Sequence, residues 1–205
     1  MTDSVSRKVR LGVLISGRGS NLIALHKAIQ HGKLTNAEIS VVVSNRMDAK
    51  GLKWASDQGL NTVGLSEESA RKPSLRDHAI LERLLHYKVD FVLLAGYDRI
   101  ISSTLLDAFP GRMLNIHPSL LPAFGGPGML GRAVHEAVLA AGEQESGCTV
   151  HLVTDIVDGG AILGQTRVSV LANDTADTLA ERVLNAEHQL YAEAVQNYIH
   201  RVTVS

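Results

Sequence analysis

The sequence predicts an α/β protein built on an open, mostly parallel sheet with helices on both faces. Short apolar, β-branched segments alternate with segments of helical periodicity, the pattern of strands joined by crossover helices. The most apolar segment, residues 90–95, lacks the polar alternation of a strand with one wet face, as expected of a central strand covered on both sides. With 45% hydrophobic and 20% charged residues, the 205-residue chain can bury a sizeable core, and a single domain over residues 1–205 is expected.

The elements follow in order. Residues 10–16 are a nearly continuous apolar run, and Leu22, Leu25 and Ile29 then recur at helical spacing until Gly32 supplies a stop: strand, tight turn, helix. Residues 39–44 read as a second strand, 49–58 as a helix stopped by Gly59, and 61–65 as a third strand. The polar stretch 66–73 reads as a loop, followed by a helix over 74–87 and the central strand at 90–95. A short helix over 102–109 and a strand at 112–115 come next. Residues 118–131 hold three of the five prolines and four glycines, which excludes regular structure. A loop of that length is usually functional or disordered. A helix over 133–141, strands at 148–153 and 161–170, and a terminal helix complete the pattern. Asp174 or Thr175 caps that helix, and Leu179, Val183, Leu190, Ala194 and Tyr198 form its apolar stripe.

Composition excludes several classes. Twenty Lys+Arg against 21 Asp+Glu give a net charge of -1, so no broad attraction to nucleic acid or to an anionic membrane is expected, and any anion must be held locally. The single cysteine, Cys148, cannot form an intrachain disulfide, and no Cys/His cluster has zinc spacing; no metal is expected, and a reducing cytoplasm fits best. Residues 1–10 are polar and basic and lead into an apolar run, yet that run is too short for a signal peptide and no small-x-small cleavage site follows. No stretch approaches the roughly 18 apolar residues of a membrane span.

Three segments carry chemistry. Ser16-Gly17-Arg18-Gly19-Ser20-Asn21 lies where the first strand becomes the first helix, and the unpaired N–H groups of that helix end suit a phosphate. The dinucleotide fingerprint fails, because Leu22 takes the place of the third glycine and no acidic residue closes the second strand; a plain glycine turn stays open as a reading. Asn115 and His117, two apart at a strand end, point to the same side. The amide can donate to an oxyanion and the imidazole can carry a proton, a pair suited to acyl transfer; a strand-end cap is the plainer alternative. His151 sits in an apolar strand and reads as structural. Its strand runs into a loop in which Asp158, directly before Gly159 and Gly160, is a better candidate than Asp155 to orient an imidazole. Such a pairing predicts that His117 titrates above the ordinary histidine value of about 6.5.

Together with Leu94-Ala95-Gly96-Tyr97-Asp98-Arg99-Ile100, the run Asn115 to Pro122, and Gly147-Cys148-Thr149-Val150-His151, these segments resemble the phosphoribosylglycinamide formyltransferase family, folate-dependent enzymes of purine synthesis. The resemblance runs from Val9 to about Tyr198 and implies a formyltransferase, Rossmann-like fold. It implies that Gly19, Ser20 and Asn21 hold the phosphate of glycinamide ribonucleotide and that Glu187 reaches its ribose. Folate would lie against Arg76, Asp98, Arg99, Ile100, Ile101, Asn115, Val153, Thr154, Asp155 and Asp158, with Arg76 meeting the glutamate carboxylates. Three positions depart from the family pattern: Asp98 replaces an apolar residue, usually methionine; Leu184 replaces a polar one; and residues 124–131 make a longer loop.

The resemblance implies formyl transfer from 10-formyltetrahydrofolate, as co-substrate, to the substrate amine in a ternary complex. Asn115, His117 and Asp158 would be catalytic. Partners would be these two small molecules, with homodimer formation left open. A formyltetrahydrofolate hydrolase shares the constellation, but the first strand starts by Arg10 and leaves no room for that family's N-terminal domain. A methionyl-tRNA formyltransferase is disfavoured by the lack of a C-terminal domain. A nucleotide-sensing α/β protein would explain the glycine turn but not Asn115, His117 and Asp158.

Overall fold

The structure is a computed structural model that describes residues 7–204; the start of the basic N-terminal segment, residues 1–6, and Ser205 lie outside it. Among the described residues, seven strands form one sheet: β1 (Val9–Ile15), β2 (Ala37–Ser44), β3 (Thr62–Gly64), β4 (Phe91–Leu94), β5 (Met113–His117), β6 (Glu145–Leu152) and β7 (Ile162–Ser169). Their order is β3-β2-β1-β4-β5-β6-β7. The first five run parallel, whereas β6 and β7 join antiparallel. The chain builds outward from β1 to β3 and then crosses to β4 on the other side of β1. That reversal opens a crevice at the carboxyl ends of β1 and β4, where ligands of such sheets collect.

The helices are α1 (Ser20–Gln30), α2 (Lys50–Asp57), α3 (Glu67–Arg71), α4 (Pro73–His86), α5 (Ser103–Ala108), α6 (Arg132–Ala140) and α7 (Ala176–Val204). Side chains alternate across each strand, so the sheet feeds two cores. Leu11, Val13 and Ile15 pack with α1, α2, α6 and α7, while Leu14, Val41 and Val43 pack with α4 and α5. The expected stripe of α7 is buried throughout, and Thr175 Oγ1 accepts the N–H of Thr178 at 3.2 Å as the cap requires.

Two differences from the sequence reading are local. The polar stretch read as a loop contains α3, capped by Ser66 Oγ on the N–H of Ser69. A five-residue helix with no buried side chain has no apolar period to announce it. Strand β5 extends two residues further than expected, because His117 still pairs with Thr149 of β6.

On the α4/α5 face the helical cover ends at Met113 of β5, which still joins that core. Beyond it the residues on this side are polar: Asn115 and His117 on β5, Thr149 and His151 opposite them on β6. Loops 118–131 and 153–161 cover them instead. Tyr191 of α7, 1% exposed, sets its hydroxyl 3.0 Å from both Leu94 O and Leu114 O, pinning the helix across the ends of β4 and β5. One turn earlier on the same face, Glu187 is thereby held over the crevice.

Candidate functional site

The glycine-rich turn is fixed by close backbone approach. Gly19 adopts φ 74°, a left-handed conformation that costs other residues energy, and it begins α1 without any side-chain cap. A Cβ on Gly19 would lie 3.0 Å from Gly51 Cα, and Gly51 N–H donates to Gly17 O at 2.9 Å. Gly19 therefore backs onto the first turn of α2. Ser16, Gly17, Arg18, Ser20 and Asn21 line the crevice, a cavity of about 890 Å³. Into it open the unpaired N–H groups of the first turn of α1. Asn21 Nδ2 donates to Glu187 Oε2 at 2.7 Å, and Asn21 Oδ1 has no partner. Burial pushes the Glu187 carboxyl up to about 7 against the opposing pull of that bond.

The second half of the cavity is built by strand register. Antiparallel pairing sets Asn115 opposite His151, and Asn115 Nδ2 donates to His151 Nε2 at 3.1 Å. The other ring nitrogen, Nδ1, faces Leu152 O at 2.8 Å and so carries the hydrogen. His117 is fixed the opposite way round: Nε2 donates to Phe124 O at 2.9 Å, leaving Nδ1 toward Asp158 Oδ2 at 3.5 Å. The other carboxylate oxygen of Asp158 lies 3.5 Å from His151 Nε2. One carboxylate thus faces the bare nitrogens of two imidazoles, and a proton arriving between them would be shared. Asp158 itself sits at φ 55° and accepts Gly126 N–H at 2.9 Å. It stays below the usual carboxylate range despite its burial, held there by the facing His151 ring and by the Gly126 N–H.

The expected upward shift of His117 is overturned. His117 is 4% exposed, and burial holds its pKa below 6.5 despite the Phe124 carbonyl and Asp158. At rest near neutral pH it is therefore an uncharged imidazole. His151, read from sequence as structural, belongs to the cluster. The signal lay in a non-local register, Asn115 opposite His151, which one strand alone does not reveal. His135 of α6 was also missed: it is buried, lines the cavity, makes no hydrogen bond at Nδ1, and is held below the ordinary value by burial and by His117.

Loop 118–131 serves as scaffold. Thr149 Oγ1 donates to Ser119 O at 2.7 Å and accepts Leu121 N–H at 3.1 Å, so the strand opposite His117 also sets the start of the loop. Through Phe124 O and Gly126 N–H the loop then holds both His117 and Asp158.

Of the segments expected to meet folate, Ile100, Ile101, Asn115, Val153, Thr154 and Asp158 line one small slot of about 60 Å³. Arg99 lines the larger cavity. Three residues behave otherwise than expected. Arg76 is 5% exposed and points inward, its Nε on Asp77 at 2.9 Å and its Nη2 on Ile100 O at 2.9 Å. With Asp77 accepting Ser102 N–H at 2.8 Å, the pair braces the loop that carries Ile100, and Arg76 is not free to meet a carboxylate. Asp98 turns away from the slot toward Ser16, Asn45 and Arg46. Asp155 is exposed and lines neither cavity. Among the described residues, no three His, Cys, Asp or Glu side chains are placed to hold a metal ion, and no helix is long and apolar enough to cross a membrane.

Residues 9–195 match the Formyl transferase family. The chain is 44% identical over 190 residues to the chloroplastic phosphoribosylglycinamide formyltransferase of Vigna unguiculata, a match that covers 93% of this chain but only 61% of that protein's length. It is 39% identical over 179 residues to phosphoribosylglycinamide formyltransferase of Escherichia coli, covering 87% of this chain and 82% of the relative. Among solved structures, glycinamide ribonucleotide transformylase 1 of Symbiobacterium toebii superposes with a TM-score of 0.87 at 42% identity, over 93% of this chain and 87% of that one.

Proposed function

The chain belongs to the formyl transferase family, and from that premise we propose that it transfers the formyl group of 10-formyltetrahydrofolate to the primary amine of glycinamide ribonucleotide, a step of purine biosynthesis. One observation carries the reading: a single cavity is lined both by the turn of Gly17, Ser20 and Asn21 and by Asn115, His117 and Asp158. An anion site and an acyl-transfer group in one cavity suit a phosphorylated amine that meets a formyl donor.

The residues present fit a folate. Ile100 and Ile156, 64% and 67% exposed, flank the slot and leave apolar surface that a flat ring would cover. When bound, 10-formyltetrahydrofolate supplies the formyl carbon and its N10 leaving group. Asn115 has one amide hydrogen on His151 and a second free to meet the formyl oxygen as charge develops there. His117, uncharged at rest, takes up at Nδ1 the proton that the amine sheds, where Asp158 Oδ2 stabilises it, and returns it toward N10. Glu187, beside Asn21, receives the ribose hydroxyls. The buried thiol of Cys148, pushed up to about 12 by burial, is chemically quiet; we assign a cytoplasmic setting and read the described residues as a single formyltransferase domain.

The test is formyl loss from 10-formyltetrahydrofolate with and without glycinamide ribonucleotide. Loss that requires the nucleotide, with formylated nucleotide as product, is expected. Equal loss without it would make the protein a hydrolase, and no loss in either case would leave only a binding protein.

A further inference from the structure

Asp98 belongs by sequence to the segment that walls the apolar slot, yet its carboxylate reaches the opposite half of the cleft. Oδ1 accepts Asn45 Nδ2 at 3.0 Å and lies 2.9 Å from Ser16 Oγ; Oδ2 accepts the Arg46 guanidinium; and its own N–H donates to Ser16 Oγ at 2.9 Å. Arg46 Nη1 adds a bond to Ser16 O at 3.2 Å. Ser16 has one hydroxyl hydrogen for two acceptors, Asn45 Oδ1 at 2.7 Å and Asp98 Oδ1. The knot therefore ties the carboxyl ends of β1 and β2 to the residue that follows β4 by four positions. Four of its bonds end on Ser16, the first residue of the glycine-rich turn, and the other two join Asp98 to Asn45 and Arg46.

We propose that Asp98 and Arg46 are a positioning pair that holds the turn of residues 16–21 and thereby sets affinity for the phosphorylated substrate. The proposal rests on the reading of that turn as a phosphate site. The ion pair alone contributes little, since the Arg46 side chain is 48% exposed. The weight falls on the bonds to Ser16 and Asn45, which are 3% and 4% exposed and have no water to replace a lost partner. Arg99 Nε also approaches Asp98 Oδ1, at 3.5 Å, but the Arg46 guanidinium is bonded both to Asp98 and to Ser16 O, which makes it a positioning group for the turn.

The sign of two substitutions decides the matter. If the pair positions the turn, D98M and R46M each raise KM for glycinamide ribonucleotide by roughly five- to tenfold, the scale of one lost hydrogen bond. The double variant is then no worse than the poorer single. D98N, which keeps an oxygen toward Ser16 and Asn45, falls between the parent and D98M. The KM for 10-formyltetrahydrofolate moves less. Had Arg46 been a phosphate ligand restrained by Asp98, D98M would lower the nucleotide KM while R46M raised it; opposite signs overturn the proposal. So does a change confined to the folate KM. Affinity for ribose 5-phosphate, read from the amide shifts of Ser20 and Asn21, should follow the same order without turnover. A parent that binds ribose 5-phosphate but transfers no formyl group would sink the catalytic reading alone. R46M, at a half-exposed side chain, and D98N keep the test open should D98M fail to fold.

Discussion

Burial and charge pull His117 in opposite directions, and their balance sets what the residue can do. Burial wins, so the imidazole is neutral near pH 7 and is a proton acceptor before it is a donor. Asp158 limits the fall. Asp158→Asn keeps the size but removes the raising charge, so the pKa of His117 should drop further below 6.5, as read by NMR titration of the imidazole. An unchanged titration would show that the 3.5 Å contact carries no electrostatic weight. Asn115→Ala should cost about a hundredfold in kcat, the scale of one lost oxyanion donor. It should cost little more in a background already lacking His117 or Asp158, since groups acting on one reacting centre are not additive. Full additivity in the double variants would separate the amide from the proton-transfer pair.

At the scale of elements, the strand and helix periods were legible because each core-facing residue repeats every two or three to four positions, as Leu11, Val13 and Ile15 or Leu179, Val183 and Leu190 do. The candidate site was legible where it is local: the glycine turn, and Asn115 with His117 two apart on one strand. It was not legible where it depends on pairing between distant segments. His151 enters only through its register with Asn115, and Arg76, expected to meet the folate carboxylates, is buried because α4 packs under the loop of Ile100. The junction of α1 and α2 is equally non-local, and it makes a prediction. Gly19→Ala places a Cβ in the left-handed region, and 3.0 Å from Gly51 Cα. The substitution should destabilise the protein by about 1–2 kcal/mol, read by urea denaturation, and raise KM for the nucleotide. Gly51 cannot yield easily, because its N–H is bonded to Gly17 O and its own added Cβ would meet Ile15 Cδ1 at 2.7 Å. A variant of parental stability and parental KM would mean that the turn is not held by this contact.

Across the whole molecule, buried titratable groups set opposite trends in stability with pH, and the crevice contributes to both. His117, His135, His188 and, less buried, His26 all lie below their ordinary value because of burial. As pH falls below about 6.5 the unfolded chain takes up protons that the folded chain refuses, so stability is lost on acidification. Glu187 works the other way. Its folded value is raised from 4.5 to about 7, so the stability linked to its protonated form is present at low pH and is lost as pH rises through 7. Four histidines against one carboxyl give a net fall toward acid, and Asp158, held below its ordinary value, extends the fall through the carboxylate range. Glu187→Gln isolates the opposing trend. The amide keeps the bond to Asn21 but has no charge to bury, so the variant should be more stable than the parent at pH 8 and should lose stability more steeply between pH 7 and pH 5. Urea midpoints taken at unit pH intervals measure both. The same substitution should raise KM for glycinamide ribonucleotide, because the carboxylate whose charge is costly to bury is the group we assign to the ribose hydroxyls, a cost in stability held at the site for the sake of binding. A variant no more stable than the parent at pH 8 would show that Glu187 is already solvated when charged, and a parental KM would remove it from the ribose.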